Sequence, residues 1–247
     1  MARADARADA PAAGGKPDPA AVIAWLERTG TPAVRDGMTR FAIPSDKAFG
    51  ISVAALRVEA KRLGRNHALA AALWASGWYE ARMLACFVDD PAQVSAAQMD
   101  RWCRDFDNWA IVDTACFALF DATPHAWAKV AAWAGKRAEF EKRAAFALLW
   151  SLSVHDKTAG DAPFIDGLKL IEQAAADPRN FVKKAVNMAL RAVGKRNPVL
   201  NAAAIEAATR LDASRDATAH WIGKHALAEL ASPAMTARLV KRARLKR

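Results

Sequence analysis

The chain has 247 residues, with 53% hydrophobic and 25% charged side chains, enough for a substantial buried core. Alanine makes up about a quarter of it, against 12 glycines and one tyrosine, a balance that favours helices and argues against a sheet protein. No run of about 18 apolar residues occurs and the N-terminus has no apolar signal-like core, so neither a membrane span nor secretion is expected.

In chain order, residues 1–18 are rich in Ala, Asp, Arg, Pro and Gly without apolar periodicity, and read as a disordered tail. Helical spacing of apolar residues then predicts helices near 19–29, 31–41, 52–63, 67–76, 78–88, 95–106 and 108–120. It continues near 125–134, 137–153, 163–175, 179–195, 198–211, 214–230 and 233–244. Ser52, Ser95, Asn108, Asn197 and Ser232 stand where an N-cap oxygen is needed, the last two directly before proline. One domain over 19–240 is expected, followed by a basic tail at 241–247.

Internal repetition separates a solenoid from a bundle. The segments WYEARMLACFVDDP, NWAIVDTACFALF, EFEKRAAFALLWSLS, NFVKKAVNMALRAVGK and ATAHWIGKHALAELAS align at Arg82, Trp109, Arg143, Lys184 and His220. The intervals of 27, 34, 41 and 36 residues fit degenerate HEAT-like helix pairs, so the expected fold is all-α, an α-solenoid with an armadillo-type superhelix. The second helices of such pairs are expected to line a concave face.

The net charge of +10 is uneven. Residues 1–125 carry 14 basic and 15 acidic side chains, whereas residues 126–247 carry 22 and 11. A cationic C-terminal half points to a polyanion, and nucleic acid fits best because binding releases phosphate counterions. Lys183, Lys184, Arg191, Lys195 and Arg196 crowd one helix and its end as a phosphate-contact strip.

Phosphate loops, dinucleotide fingerprints, zinc-protease and serine-hydrolase motifs are all missing, and the five histidines have no ligand-like spacing. Cys86, Cys103 and Cys116 sit singly in apolar helices and read as buried thiols. Trp102, Trp127, Trp133 and Trp150 read as packing residues. The unusual pair is Trp109 and Asp113, at i, i+4 on one helical face, where the carboxylate is surrounded by Ile111, Val112, Ala115 and Cys116.

At these residues the chain resembles the DNA alkylation repair family of HEAT-like-repeat DNA glycosylases, the AlkD-like proteins. The resemblance spans roughly residues 35–232, through FGISVAALRVEAKRLGR, LWASGWYEARMLACFVDDP, DRWCRDFDNWAIVDTACFALF, FEKRAAFALLWSL and FVKKAVNMALRAVGKRNP. It implies a basic concave groove holding double-stranded DNA, and excision of cationic alkylated purines such as 3-methyladenine and 7-methylguanine. It also implies that no cofactor or metal is used and that the lesion is not drawn into a deep pocket. Trp109 and Asp113 match the family's aromatic and catalytic carboxylate, and Arg143 its DNA-contacting arginine. Met188 departs from the pattern, because an aromatic residue is expected there.

The chemistry has its own logic. A purine alkylated on a ring nitrogen is cationic and leaves readily, and the sugar becomes oxocarbenium-like. A fixed carboxylate stabilises that charge and orients the attacking water, and an indole face favours a cation. Together with this chemistry, the resemblance implies a glycosylase, expected to be monomeric and cytoplasmic, and nucleoid-associated when bound to DNA. The rival expectations are a non-catalytic HEAT-repeat protein binding damaged or structured DNA, and a protein-interaction scaffold.

Overall fold

The structure is a computed structural model and describes residues 17–244. Residues 1–16 and 245–247, which hold most of the expected N-terminal tail and the last three residues of the expected basic one, lie outside the described residues. Among the described residues the regular elements are helical and none is a strand. No described helix is long and apolar enough to cross a membrane. The chain divides into two compact units, one up to Asp90 and one from Pro91 onward.

The first unit contains α1 (Pro19–Thr29), α2 (Pro32–Gly37), α3 (Val53–Leu63), α4 (His67–Ala75) and α5 (Tyr79–Val88). The helix expected over 31–41 is α2 followed by a 3-10 turn, Met38–Phe41. Gly37 and Thr39 are poor helix formers, and the last turn tightens before Ala42 enters the left-handed region at φ 53°. Leu26, Leu56, Leu73 and Leu84 are fully buried, each contributing about 1.5–3 kcal/mol of transfer free energy. Below them, the buried carboxylate of Glu80 accepts the backbone N–H groups of Phe49 (2.9 Å), Gly50 (2.7 Å) and Ile51 (3.2 Å). This pins the approach to α3. Gly50 is required there, because its φ is +89° and a Cβ would lie 2.2 Å from the Thr31 carbonyl oxygen.

The second unit contains α6 (Ala96–Arg104), α7 (Trp109–Ala118), α8 (Ala126–Ala134), α9 (Glu139–His155), α10 (Ala162–Ala174) and α11 (Asn180–Gly194). It ends with α12 (Pro198–Asp212), α13 (Ala217–Leu230) and α14 (Pro233–Arg244), so the basic segment expected as a tail is helical as far as Arg244. Short turns join α8 to α9, α10 to α11 and α12 to α13, and each pair packs together. The second members run side by side, α7 on α9, α9 on α11 and α11 on α13. Such serial stacking of helix pairs is what the repeat register predicts.

All five expected caps form: Ser52, Ser95, Asn108, Asn197 and Ser232 accept from backbone N–H groups of the first turn that follows each. Phe120 lies 6.0–6.5 Å, centroid to centroid, from Trp102, Phe106 and Trp133, so Trp102 and Trp133 are core residues. Asp100 takes hydrogen bonds from Lys129 Nζ (2.6 Å) and Trp133 Nε1 (2.9 Å), tying α6 to α8. The three cysteines are unpaired and buried, and burial pushes all three thiols up, away from the reactive thiolate. At Gly223, α13 presses on α12. A Cβ there would lie 2.3 Å from the Asp212 amide nitrogen and 2.5 Å from the Ala208 carbonyl oxygen.

Candidate functional site

The start of α7 is fixed by Asn108, whose side-chain oxygen accepts from the N–H groups of Ala110 (3.0 Å) and Ile111 (3.1 Å). Trp109 then opens the helix and Asp113 follows one turn later on the same side. Ile111, Val112, Ala115 and Cys116 are buried, which anchors the opposite side of α7 in the core. Ser151 Oγ of α9 donates to the Cys116 carbonyl at 3.2 Å, holding α9 against α7.

That packing brings Arg143 of α9 to Asp113. Its Nε donates to Oδ1 at 3.0 Å and its Nη2 to Oδ2 at 2.8 Å, a two-pronged charge-assisted contact. The third donor, Nη1, reaches the Phe181 carbonyl at the start of α11, 2.8 Å away. Arg143 is only 4% exposed, whereas the Asp113 side chain keeps 19%. Burial pushes the Asp113 carboxyl up from its ordinary value, against the pull of the Arg143 charge and hydrogen bonds. The guanidinium carbon lies 6.0 Å from the half-buried ring of Trp109, at the edge of cation–π range. Each carboxylate oxygen accepts one bond from arginine and retains a further lone-pair site.

The helix boundaries shift the repeat register by one turn. Arg143 is the fifth residue of α9, Lys184 the fifth of α11 and Asp113 the fifth of α7, while Trp109 is the first. Trp109 and Arg143 are therefore not equivalent positions; Asp113 and Arg143 are. The slip of four residues preserves the helix face, so the three side chains still meet.

The expected basic strip divides by role. Lys183 is half-buried with its Nζ 4.8 Å from the Trp221 ring, and Lys184 is exposed. Arg191 and Lys195 both bind Glu229 of α13, the latter at 2.5 Å, and together they hold that carboxyl below its usual range. Arg196 donates to the carbonyls of Leu152, Ser153 and Ala159, with its guanidinium 3.9 Å from the Phe164 ring. It therefore closes the C-terminal end of α9, where orphan carbonyls need donors.

Met188 is half-buried and lines a cavity of about 430 Å³ together with Trp150, Val154 and Arg191. Arg143 and Trp150 are seven residues apart in α9, as are Phe181 and Met188 in α11, so both pairs continue along one face. Phe117 of α7 links the two places, its ring 4.6 Å from that of Trp150 in a T-shaped contact. The structure thus groups Trp109, Asp113 and Arg143 directly, with Met188 two turns farther along α11. Sequence reasoning missed Phe117 and took Trp150 only as packing. The signal was their spacing, four residues after Asp113 and seven after Arg143.

Residues 22–230 match the model of a family described as DNA alkylation repair enzyme. No curated protein matches the chain. It is similar to a solved structure described as "a new family of proteins related to the HEAT-like repeat DNA glycosylases with affinity for branched DNA structures". The TM-score is 0.70 at 22% identity, covering 84% of this chain and 93% of the other. That likeness shows a HEAT-like repeat helical fold.

Proposed function

The chain belongs to the DNA alkylation repair enzyme family, and on that premise we propose that it is a glycosylase excising cationic alkylated purines from double-stranded DNA. The observation that carries this reading is the Asp113 carboxylate, gripped on both oxygens by a buried arginine beside an indole. An alkylated purine such as 3-methyladenine or 7-methylguanine already carries the positive charge that makes it a leaving group. As the glycosidic bond lengthens, charge develops on the sugar. A carboxylate fixed before the reaction stabilises that charge without reorganising, an effect that costs about 10²–10³ in rate when one such group is removed. The retained lone pairs of Asp113 orient a water toward the sugar, and the Trp109 ring favours the cationic base or sugar.

Arg143 acts in this mechanism through Asp113. Three of its five N–H donors go to protein acceptors and it is 4% exposed, so we assign it a positioning role in place of the phosphate contact that the resemblance implies. Phosphate contacts fall to Lys183 and Lys184, with Arg191 and Lys195 reinforcing the positive field beside them. The protein acts as a monomer, and the reaction draws on no cofactor.

A second reading, binding of branched DNA without excision, is favoured by Met188. A thioether offers volume but no flat π-face at a position where the family pattern has an aromatic ring. The solved relative described by its affinity for branched DNA lends this reading weight.

The deciding assay is release of 7-methylguanine from methylated duplex DNA. The wild-type protein is expected to release it, and Asp113→Asn to do so about 10²-fold more slowly or worse, with duplex affinity equal or slightly tighter. Equal rates would remove Asp113 from the chemistry. No release by either protein, with duplex binding intact, selects the second reading.

A further inference from the structure

The cavity beside Met188 combines apolar and cationic side chains. Trp150, Val154 and Met188 from α9 and α11 give its wall an apolar part, beside Ser153, Lys195 and Arg196. Its rim is cationic, with Lys157 after α9, Arg191 on α11 and Arg238 on α14. At about 430 Å³ it falls in the range of small-ligand sites, roughly 300–1,000 Å³. Phe117 packs against Trp150, and Glu229 engages Arg191 from α13, so wall and rim are both supported from behind. The two chemistries are complementary to one thing in particular: a heteroaromatic base attached to a phosphate.

We propose that this cavity takes a single unpaired nucleotide at a branch or interruption in duplex DNA, a proposal that rests on the DNA-binding reading above. The base lies against the wall and its phosphates lie among Lys157, Arg191 and Arg238. A fully paired duplex offers the rim its phosphates but keeps its bases in the stack, so the apolar wall gains nothing. An unpaired nucleotide adds a base–aromatic contact, which is worth about fivefold to a hundredfold in affinity. The wall thus discriminates interrupted from continuous DNA, whereas the rim cations alone would bind both equally. Val154 is 40% exposed, so it can be altered without disturbing the core.

The test uses the whole protein and three DNAs of equal length: a continuous duplex, one with a single-nucleotide bulge, and one whose bulged nucleotide lacks its base. Fluorescence anisotropy is expected to show at least about fivefold tighter binding to the bulge than to the duplex, with the baseless bulge behaving like the duplex. Val154→Asp should erase the preference, and Lys157→Ser with Arg238→Ser should weaken bulge and duplex binding alike, leaving the preference in place. Equal affinity for bulge and duplex overturns the proposal. So does a baseless bulge bound as tightly as the complete one, or a preference that survives Val154→Asp. Release of 7-methylguanine measured alongside keeps the two readings apart: its absence sinks the glycosylase and leaves the nucleotide site standing. A protein that binds none of the three DNAs overturns both.

Discussion

The Asp113–Arg143 pair and the Lys183–Lys184 pair occupy neighbouring helices yet handle charge in opposite ways. In the first, a buried arginine donates to protein acceptors, and the carboxylate is held on both oxygens and largely shielded from water. In the second, one ammonium lies on an indole face and the next is exposed, both on flexible stems. Stabilising a developing charge needs a partner that does not move and is poorly screened. Holding phosphates along a duplex needs cations that adjust, because the contact carries no sequence information. On the proposed reading, positive residues of one chain serve two ends: the buried Arg143 positions a carboxylate, and the more accessible Lys183 and Lys184 meet phosphates.

The largest expected effect breaks the first region. Arg143→Met removes the partner of a largely buried carboxylate, and calorimetry or urea unfolding should show a loss of about 3 kcal/mol, the low end for a buried pair because Asp113 keeps some solvent exposure. A loss below about 1 kcal/mol would mean that the pair is an ordinary surface contact. Gly223→Ala comes next. Its Cβ would push α13 off the α12 backbone, costing about 1–3 kcal/mol in stability. Because it lies away from Asp113, the excision rate of the folded fraction should not change.

Charge removal sharpens the second region. Lys183→Ser with Lys184→Ser should flatten the plot of log affinity against log salt by about 0.9 for each phosphate left without its cation, equally for unrelated sequences. An unchanged slope places the duplex elsewhere. The pH profile returns to the first region. With its pKa raised, Asp113 loses its charge at a pH above the ordinary 3.8, so excision should fall on the acid side above that value. Arg143→Met removes the cation that favours the charged form, and it should move the acid limb higher still. The linked stability term has the sign of a raised acid: present at low pH, lost as pH rises through the folded-state value. The smallest effect belongs to Met188→Trp, where the adjoining cavity has room for an indole. Excision should rise modestly, with affinity for undamaged duplex nearly unchanged.

Much of the helical framework was legible in the sequence because its signals are local. Asn108 caps α7, Ser95 caps α6, and the Asp113 carboxylate stood out against apolar neighbours within one turn. The contacts that complete the site are not local. Arg143 lies 30 residues beyond Asp113 and 38 before Phe181, and nothing in its own helix distinguishes a buried arginine from a surface one. Arg196 reads as part of a cationic run but spends its donors on carbonyls at the end of α9. Glu80 reads as one acidic residue in the first turn of a helix, whereas its three backbone donors come from a loop 29–31 residues earlier. Side chains that satisfy distant backbone groups leave no periodic trace.

The central claim, that Asp113 serves the chemistry while the lysines of α11 serve binding, is tested most directly by single-turnover excision of 7-methylguanine at saturating protein, where affinity no longer limits the rate. Wild type and the Lys183→Ser, Lys184→Ser variant should then excise at the same rate, and Asp113→Asn at a rate about 10²-fold lower. A saturating rate that Asp113→Asn leaves intact, or that the lysine changes reduce as severely, would contradict it.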